Sequence, residues 1–401
     1  MNTSHHSIWL NRFAVSTAVV TLLLIGLGGM VTSKGAGMAV PDWPTTYGQN
    51  MFLFPVGQWI GGILYEHSHR LLASLVGFLT LVMAAWIWGR GSKGGGKWIG
   101  LIWIFLGMGL IGVRTQGMFI ALACVALLVL GYCAFRLWDA EDPLRWWAML
   151  AYSLVLVQGV LGGLRVTQFM DELGIVHGTI GQLFFLLVCA IGLVTSRFWQ
   201  RLGDVEFSSR VSGLKGLLLT LTIMVLLQLI LAASMRHQHA GLAVPDFPLA
   251  YGKIWPPMDV EFVDTVNRSR IDPREFNPIA PNHILLHMCH RIMAVVLLIG
   301  IGYAAFQARA RAGKGTLFAR WGDIWFGLVC FQAILGAATV WSNKSAEITT
   351  LHVMTGAICL VLGGLLTILA FRVSRMAPCE RCETVEANPG PDLLLAGPLG
   401  A

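Results

Sequence analysis

Four of the chain's eleven histidines stand where an ionisable side chain is expensive. His69, His177, His290 and His352 each lie near one end of a long apolar run, in the contexts Glu66-His67-Ser68-His69-Arg70, Val176-His177-Gly178, His287-Met288-Cys289-His290-Arg291 and Leu351-His352-Val353. Ionisable groups inside a bilayer are costly and usually serve a site. A neutral imidazole is also the common axial ligand of b-type haem iron, which helical bundles hold between facing helices. Two pairs would therefore grip two haems. The competing reading is four packing histidines bonded to backbone carbonyls. For a single buried histidine that reading is preferable, but two pairs at repeated positions favour ligation.

The neighbours of these histidines add to the chemistry. Arg70 and Arg291 directly follow one histidine of each pair, where they can neutralise haem propionates by charge-assisted bonds or snorkel to headgroups. Glu66 stands one helical turn before His69, on the same face. The position three residues before His290 is His287, not an acid. A carboxylate facing one haem and missing from the other suggests chemistry in the first half and a fixed cofactor in the second. Alternatively, Glu66 pairs with Arg70 or another cation near the interface. His67, His283 and His287 receive no role, and His237 and His239 are expected to be solvated in an outer loop.

The elements that must position these groups are membrane helices. The 401 residues are 56% hydrophobic and 12% charged, and their mean hydropathy is +0.68. A soluble fold of this size cannot hide so much apolar surface. Apolar segments fall at 13–32, 63–89, 98–113, 118–137, 146–166, 173–196, 217–233, 283–304, 321–341 and 348–371, ten spans of which 98–113 is the shortest. Basic residues gather in the loops on one face, among them Arg90, Lys93, Lys97, Arg136, Arg145, Arg197, Arg201, Arg210, Lys215, Arg309, Arg311 and Lys314. That face is expected to be cytoplasmic, with both termini on it. The net charge of +7 is then topological and implies no nucleic-acid partner. The polar start, with no cleavable signal or Arg-rich transit segment in view, suggests a bacterial plasma membrane. Six of the eight cysteines lie in or beside spans, where they act as packing residues. Cys379 and Cys382 form a lone Cys-x-x-Cys in a tail, residues 376–401, expected to be cytoplasmic and disordered.

An internal duplication organises the chain. Gly37-Met38-Ala39-Val40-Pro41-Asp42-Trp43-Pro44 recurs as Gly241-Leu242-Ala243-Val244-Pro245-Asp246-Phe247-Pro248, and Tyr47-Gly48 recurs as Tyr251-Gly252. His69-Arg70 matches His290-Arg291, Gln158-Gly159-Val160-Leu161-Gly162 matches Gln332-Ala333-Ile334-Leu335-Gly336, and His177 matches His352. The expected fold is thus an all-α polytopic membrane protein of two pseudo-symmetric four-helix bundles, residues 1–200 and 201–375. A transmembrane hairpin near 98–137 is inserted in the first half. The Pro-Asp-aromatic-Pro segments are expected to be turns, with Asp42 and Asp246 bonding local amides.

Taken together, the Glu66–Arg70 run, the segment Gln158-Gly159-Val160-Leu161-Gly162-Gly163-Leu164-Arg165-Val166, Val176-His177-Gly178 and the repeated loop resemble the haem A synthase family. The resemblance covers most of the chain outside residues near 95–140 and the tail. It implies oxidation of the C8 methyl group of haem O to the formyl group of haem A, by way of an alcohol and a gem-diol, to supply haem–copper oxidases. It further implies substrate haem at His69 and His177, resident haem b at His290 and His352, and an essential acid at Glu66. Expected partners are haem O, an electron acceptor, and haem O synthase, haem–copper oxidase subunits or assembly factors. A homo-oligomer is compatible with it. Many relatives carry a cysteine pair in the first outer loop, whereas residues 33–62 contain none. Two other functions compete with it. A two-haem b-type cytochrome that only passes electrons explains the histidines equally well but gives Glu66 no purpose. A transporter would need intramembrane acids in both halves.

Overall fold

The structure, a computed structural model, describes residues 7–110, 116–138, 143–168, 170, 172–202, 213–270 and 278–376. Cys379, Cys382, the tail beyond residue 376 and Arg210 lie outside the described residues. Twelve α-helices occur in them: α1 (Ile8–Ser33), α2 (Gly62–Gly91), α3 (Gly94–Leu110), α4 (Gln116–Trp138), α5 (Pro143–Thr167), α6 (Glu172–Val194), α7 (Arg197–Arg201), α8 (Lys215–His237), α9 (Val260–Ser269), α10 (Pro281–Ala312), α11 (Leu317–Trp341) and α12 (Ala346–Met376). Polar residues mark several starts. Ser7 caps α1 through the Trp9 amide, and Thr316 caps α11 through that of Ala319.

Nine of these helices are long and apolar enough to cross a membrane. The protein is therefore an all-α, multi-pass membrane protein. The tenth expected span, α3, is shorter, with 17 residues. At 1.5 Å per residue it covers about 26 Å, just under a hydrocarbon core of about 30 Å. Its contacts nonetheless make it the outgoing arm of a hairpin. The Trp88 indole near the end of α2 donates to the Lys97 carbonyl at the start of α3. At the far end of α4, Arg136 lies over the Trp146 ring of α5, while Arg145 donates to the Gly91 carbonyl at the end of α2. The chain leaves and returns at one membrane face. Partway along α3, the Tyr152 hydroxyl of α5 donates to the Ile104 carbonyl.

The remaining long helices form two rings of four. In the first, α1 packs on α2 and α6, and α5 packs on the same two helices. In the second, α8 packs on α10 and α12, and α11 closes the ring against both. The rings meet along a seam where α12 touches α1 and α6, and α6 also touches α8. Small residues allow the approach. A Cβ at Gly26 would stand 2.7 Å from Met354 Sδ, and one at Gly29 would stand 3.1 Å from Thr350 Cγ2.

Candidate functional site

Two outer loops cover the rings, and they are built alike. In the first, strands β1 (Thr45–Thr46) and β2 (Gln49–Asn50) pair as a hairpin turning at Tyr47 and Gly48, with φ of 49° and 75°. Such a turn needs positive φ at both central positions, which explains the glycine. Asp42 accepts the Tyr47 amide at 2.7 Å and the Gly48 amide at 2.8 Å, and the Tyr47 hydroxyl donates to the Ala39 carbonyl at 2.6 Å. The second loop repeats each bond. Asp246 accepts Tyr251 and Gly252 at 2.7 and 2.8 Å, and the Tyr251 hydroxyl donates to Ala243 at 2.6 Å. Partial burial pushes both carboxyls up. Hydrogen bonds outweigh it, from Thr45, Gly48 and Tyr47 for Asp42 and from Gly252 and Tyr251 for Asp246, and leave both below the usual Asp range. Asp42 and Asp246 are thus the turn residues expected of them.

Arg70 and Arg291 clamp these loops from below. Arg70 donates to the carbonyls of Asp42 at 2.6 Å, Thr45 at 3.1 Å and Val40 at 2.8 Å. Arg291 donates to the matching carbonyls of Asp246 at 2.7 Å, Leu249 at 2.9 Å and Val244 at 3.2 Å. The two halves differ one turn earlier. Glu66 forms a buried ion pair with Arg70 at 2.6 Å and accepts the Val40 amide at 2.8 Å, which engages both its oxygens. In the second half His287 takes the matching amide of Val244 through Nδ1 at 3.3 Å. The other unassigned histidines also acquire structural partners. His67 meets the Thr46 hydroxyl at 3.1 Å between the rings of Phe54 and Trp59, and His283 accepts the Ala280 amide at 3.3 Å at the start of α10. His237, expected to be solvated, is half-buried and packs against Gly174 of α6.

Beneath the loops lies one cavity of about 1330 Å³, lined by His69, His177, His290 and His352 together with Glu66, Arg70 and Arg291. All seven residues singled out in the sequence therefore share one space. Trp43 and Pro44 roof it on one side, Phe247 and Pro248 on the other. Glycines make room for three of the rings. A Cβ would stand 3.0 Å from the His69 ring at Gly28, 3.4 Å from the His177 ring at Gly162 and 3.2 Å from the His352 ring at Gly336. The helices carrying the histidines are held by a repeated bond. Gln158, Gln228 and Gln332 each donate at 2.9 Å to the backbone carbonyl of His177, His290 and His352.

Two cavity residues escaped the sequence reading. Arg165, at the outer end of α5, and Arg236, at the outer end of α8, line the same space. Their counterparts in the duplication are Thr339 and Thr32, so neither arginine repeats. The sequence signals were slight: Arg165 stands just inside the end of the 146–166 run, within the segment that carries the family resemblance, and Arg236 lies three residues beyond the 217–233 run.

Residues 113–363 match the COX15-CtaA family, described as cytochrome oxidase assembly protein. The chain belongs to this family. Among its relatives, the heme A synthase of Geobacillus kaustophilus is 23% identical over 397 residues, covering 96% of this chain and 98% of its own length. That of Bacillus cereus (strain 03BB102) is 24% identical over 356 residues, covering 86% and 88%. The heme A synthase of Shouchella clausii reaches 38% over 82 residues, 20% of this chain and 26% of its own. A member of this family is an oxidoreductase.

The cavity suits an iron porphyrin. Its volume exceeds the roughly 300–1,000 Å³ common for small-ligand sites, and its wall is mostly apolar. Nδ1 of all four histidines is buried without a hydrogen-bond partner among the described residues. Carbonyls of Leu24, Gln158 and Gln332 lie near the rings of His69, His177 and His352, but none closes a well-formed bond to Nδ1. A metal-ligating histidine usually turns its other ring nitrogen to a carbonyl, and these three carbonyls stand on the side where such partners are expected.

Proposed function

We propose that the chain is a haem A synthase, oxidising the C8 methyl group of haem O to the formyl group of haem A. In this reading His69 and His177 bind the substrate haem in the first ring of helices. His290 and His352 bind a resident haem b in the second. The resident haem supplies one-electron redox chemistry when bound, and an external acceptor removes the electrons. The observation that carries the reading is the pair of matched histidine clamps on one cavity, with Glu66 beside the first and His287 in its place beside the second.

The protein's own residues do four things here. The histidines would hold each haem iron between facing helices. The roof residues Trp43, Pro44, Phe247 and Pro248 narrow the outer end of the cavity. Arg70 and Arg291 hold those roofs and add positive charge near the propionates. Glu66, on the cavity wall, places a carboxylate where it can stabilise positive charge on the substrate. The basic residues at one membrane face support an orientation with both termini cytoplasmic. Haem O synthase and haem–copper oxidase subunits or assembly factors are the expected sources and recipients of haem.

One observation favours a second reading, a two-haem cytochrome that only passes electrons. Both Glu66 oxygens are engaged by Arg70 and Val40, as a purely structural acid would be. A single experiment separates the two. The chain is expressed with a haem O synthase in a host lacking haem A, and extracted haems are resolved by chromatography. Haem A or its hydroxylated precursor is expected, and Glu66→Ala should lower it while haem b persists. Haem O left unchanged by folded, haem b-loaded protein would sink the synthase.

A further inference from the structure

Among the described residues, the inserted hairpin reaches the cavity at one side chain, Met108 of α3. Polar bonds and close packing fix α3 at that depth. The Trp103 indole donates to the buried Ser153 hydroxyl of α5 at 3.3 Å, and the Tyr152 hydroxyl donates to the Ile104 carbonyl. Gly107 lies so near α5 that a Cβ there would stand 2.7 Å from Leu156 Cδ1. One residue on, Met108 faces Gly77 of α2, where an added Cβ would be 3.8 Å from Cε and would meet no other described neighbour within 4 Å. Gly77, Met108 and Leu156 all line the histidine cavity, so the apolar space between α2, α3 and α5 is continuous with it. Phe78, which lines the cavity and is 59% exposed, stands at its edge toward the bilayer. The second ring is built differently at this place. It has no counterpart of α3, and the residue eight after His290, which matches Gly77, is Leu298, a cavity-lining side chain.

We propose that Gly77, Met108 and Leu156 form a slot for the isoprenoid tail of the substrate haem, and that the inserted hairpin supplies one of its walls. The inference rests on the haem A synthase reading above and names the part of the substrate that these residues recognise. Haem O carries a hydroxyethylfarnesyl chain where protohaem has a vinyl group. A pocket for haem O therefore needs an apolar extension beside the macrocycle, and a pocket for haem b does not. The two rings differ in that sense, with a glycine and an added helix in the first, and a leucine and no added helix in the second. Lipid is as apolar as the slot, so the tail gains little by leaving the bilayer as such. The slot acts by shape: its walls pack on the tail, and a side chain filling it would reject the tail by overpacking. Methionine suits that wall, because an unbranched, flexible side chain follows an irregular apolar surface.

The test titrates the full chain, purified in detergent with its haem b, with ferric haem O or ferric protohaem, and reads binding from the bis-imidazole spectrum. The ratio of the two affinities is compared between wild type and Gly77→Leu, so that partition of the tail into micelles cancels. Gly77→Leu, which places the second ring's residue in the first, should lower the preference for haem O about tenfold and change protohaem binding by less than about twofold. Carbene footprinting of wild type supplies an arm without mutation, which decides the question if the variant fails to fold. Met108 should be labelled before titration, shielded by haem O and left labelled by protohaem. An unchanged affinity ratio in folded Gly77→Leu, or equal labelling of Met108 with either haem bound, overturns the slot and leaves the haem A synthase reading intact. Failure of wild type to add a bis-imidazole signal with either haem removes that reading and the slot with it. Shielding of Met108 before titration that is lost on delipidation and restored by phosphatidylglycerol assigns the space to a lipid chain, which also overturns the proposal.

Discussion

Removing Arg70 would strand Glu66, whose side chain is only 5% exposed, as a buried carboxylate without its cation. Breaking such a pair from one side costs about 3–5 kcal/mol. Arg291→Ala loses carbonyl bonds but strands no acid, since His287 stands where Glu66 would, and should cost about 1–3 kcal/mol. Thermal unfolding of detergent-solubilised protein should therefore show a larger drop in midpoint for Arg70→Ala than for Arg291→Ala. The double variant Glu66→Gln/Arg70→Ala should recover part of the loss, because the stranded charge is gone. The opposite ranking would contradict the asymmetric pairing. Glu66, Arg70 and their spacing were readable from the sequence, as was the chance that they pair. The third partner, the Val40 amide, was not, because it arrives from a loop whose path depends on Asp42 and the turn at Tyr47-Gly48.

At the scale of helices, the histidine rings lie against neighbours that have no side chain. Gly162 sits where a Cβ would press on His177, and Gly336 does the same for His352. Valine at either position should displace one imidazole and leave the other pair undisturbed. Haem per chain, measured as pyridine haemochrome, should fall by about half in Gly336→Val, with the loss confined to the second ring. Full occupancy in that variant would argue against axial ligation by His352. The four histidines were legible because duplication placed them twice in apolar surroundings. Arg165 and Arg236 were not, because each is matched by a threonine and only the packing of α5, α8 and α1 brings them together. The span at 98–113 was the least distinct in the sequence, and α3 is the one apolar helix of the hairpin that falls short of the nine others.

For the molecule as a whole, each ring closes through its own four helices while the cavity runs through both. The ring architecture predicts that His290→Ala combined with His352→Ala removes one low-spin haem and leaves the other. Absorbance and paramagnetic resonance spectra of the purified variant should retain a single bis-imidazole signal. Loss of both signals in a folded protein would mean that the cofactors depend on one another for binding. Composition sufficed for the membrane class, a chain-wide average, while the two-ring plan was readable from the matched segments of the internal duplication. The merging of two pockets into one space did not follow, because it depends on how closely α12 approaches α1 and α6.

The grip of Arg70 and Arg291 on backbone oxygens has a bearing on how the roof can change over generations. A carbonyl is supplied by every amino acid, so the clamp does not read side chains: Thr45 in one loop and Leu249 in the other serve it equally. The loop's path is inherited through Asp42 or Asp246 and the arginine. The side chains it hangs over the cavity are set separately, Trp43 by the space left at Gly163 and Phe247 by its packing against Trp341 and Arg291. Reshaping the ceiling for a bulkier or slimmer tetrapyrrole then requires only local substitutions, with the frame around them unaltered.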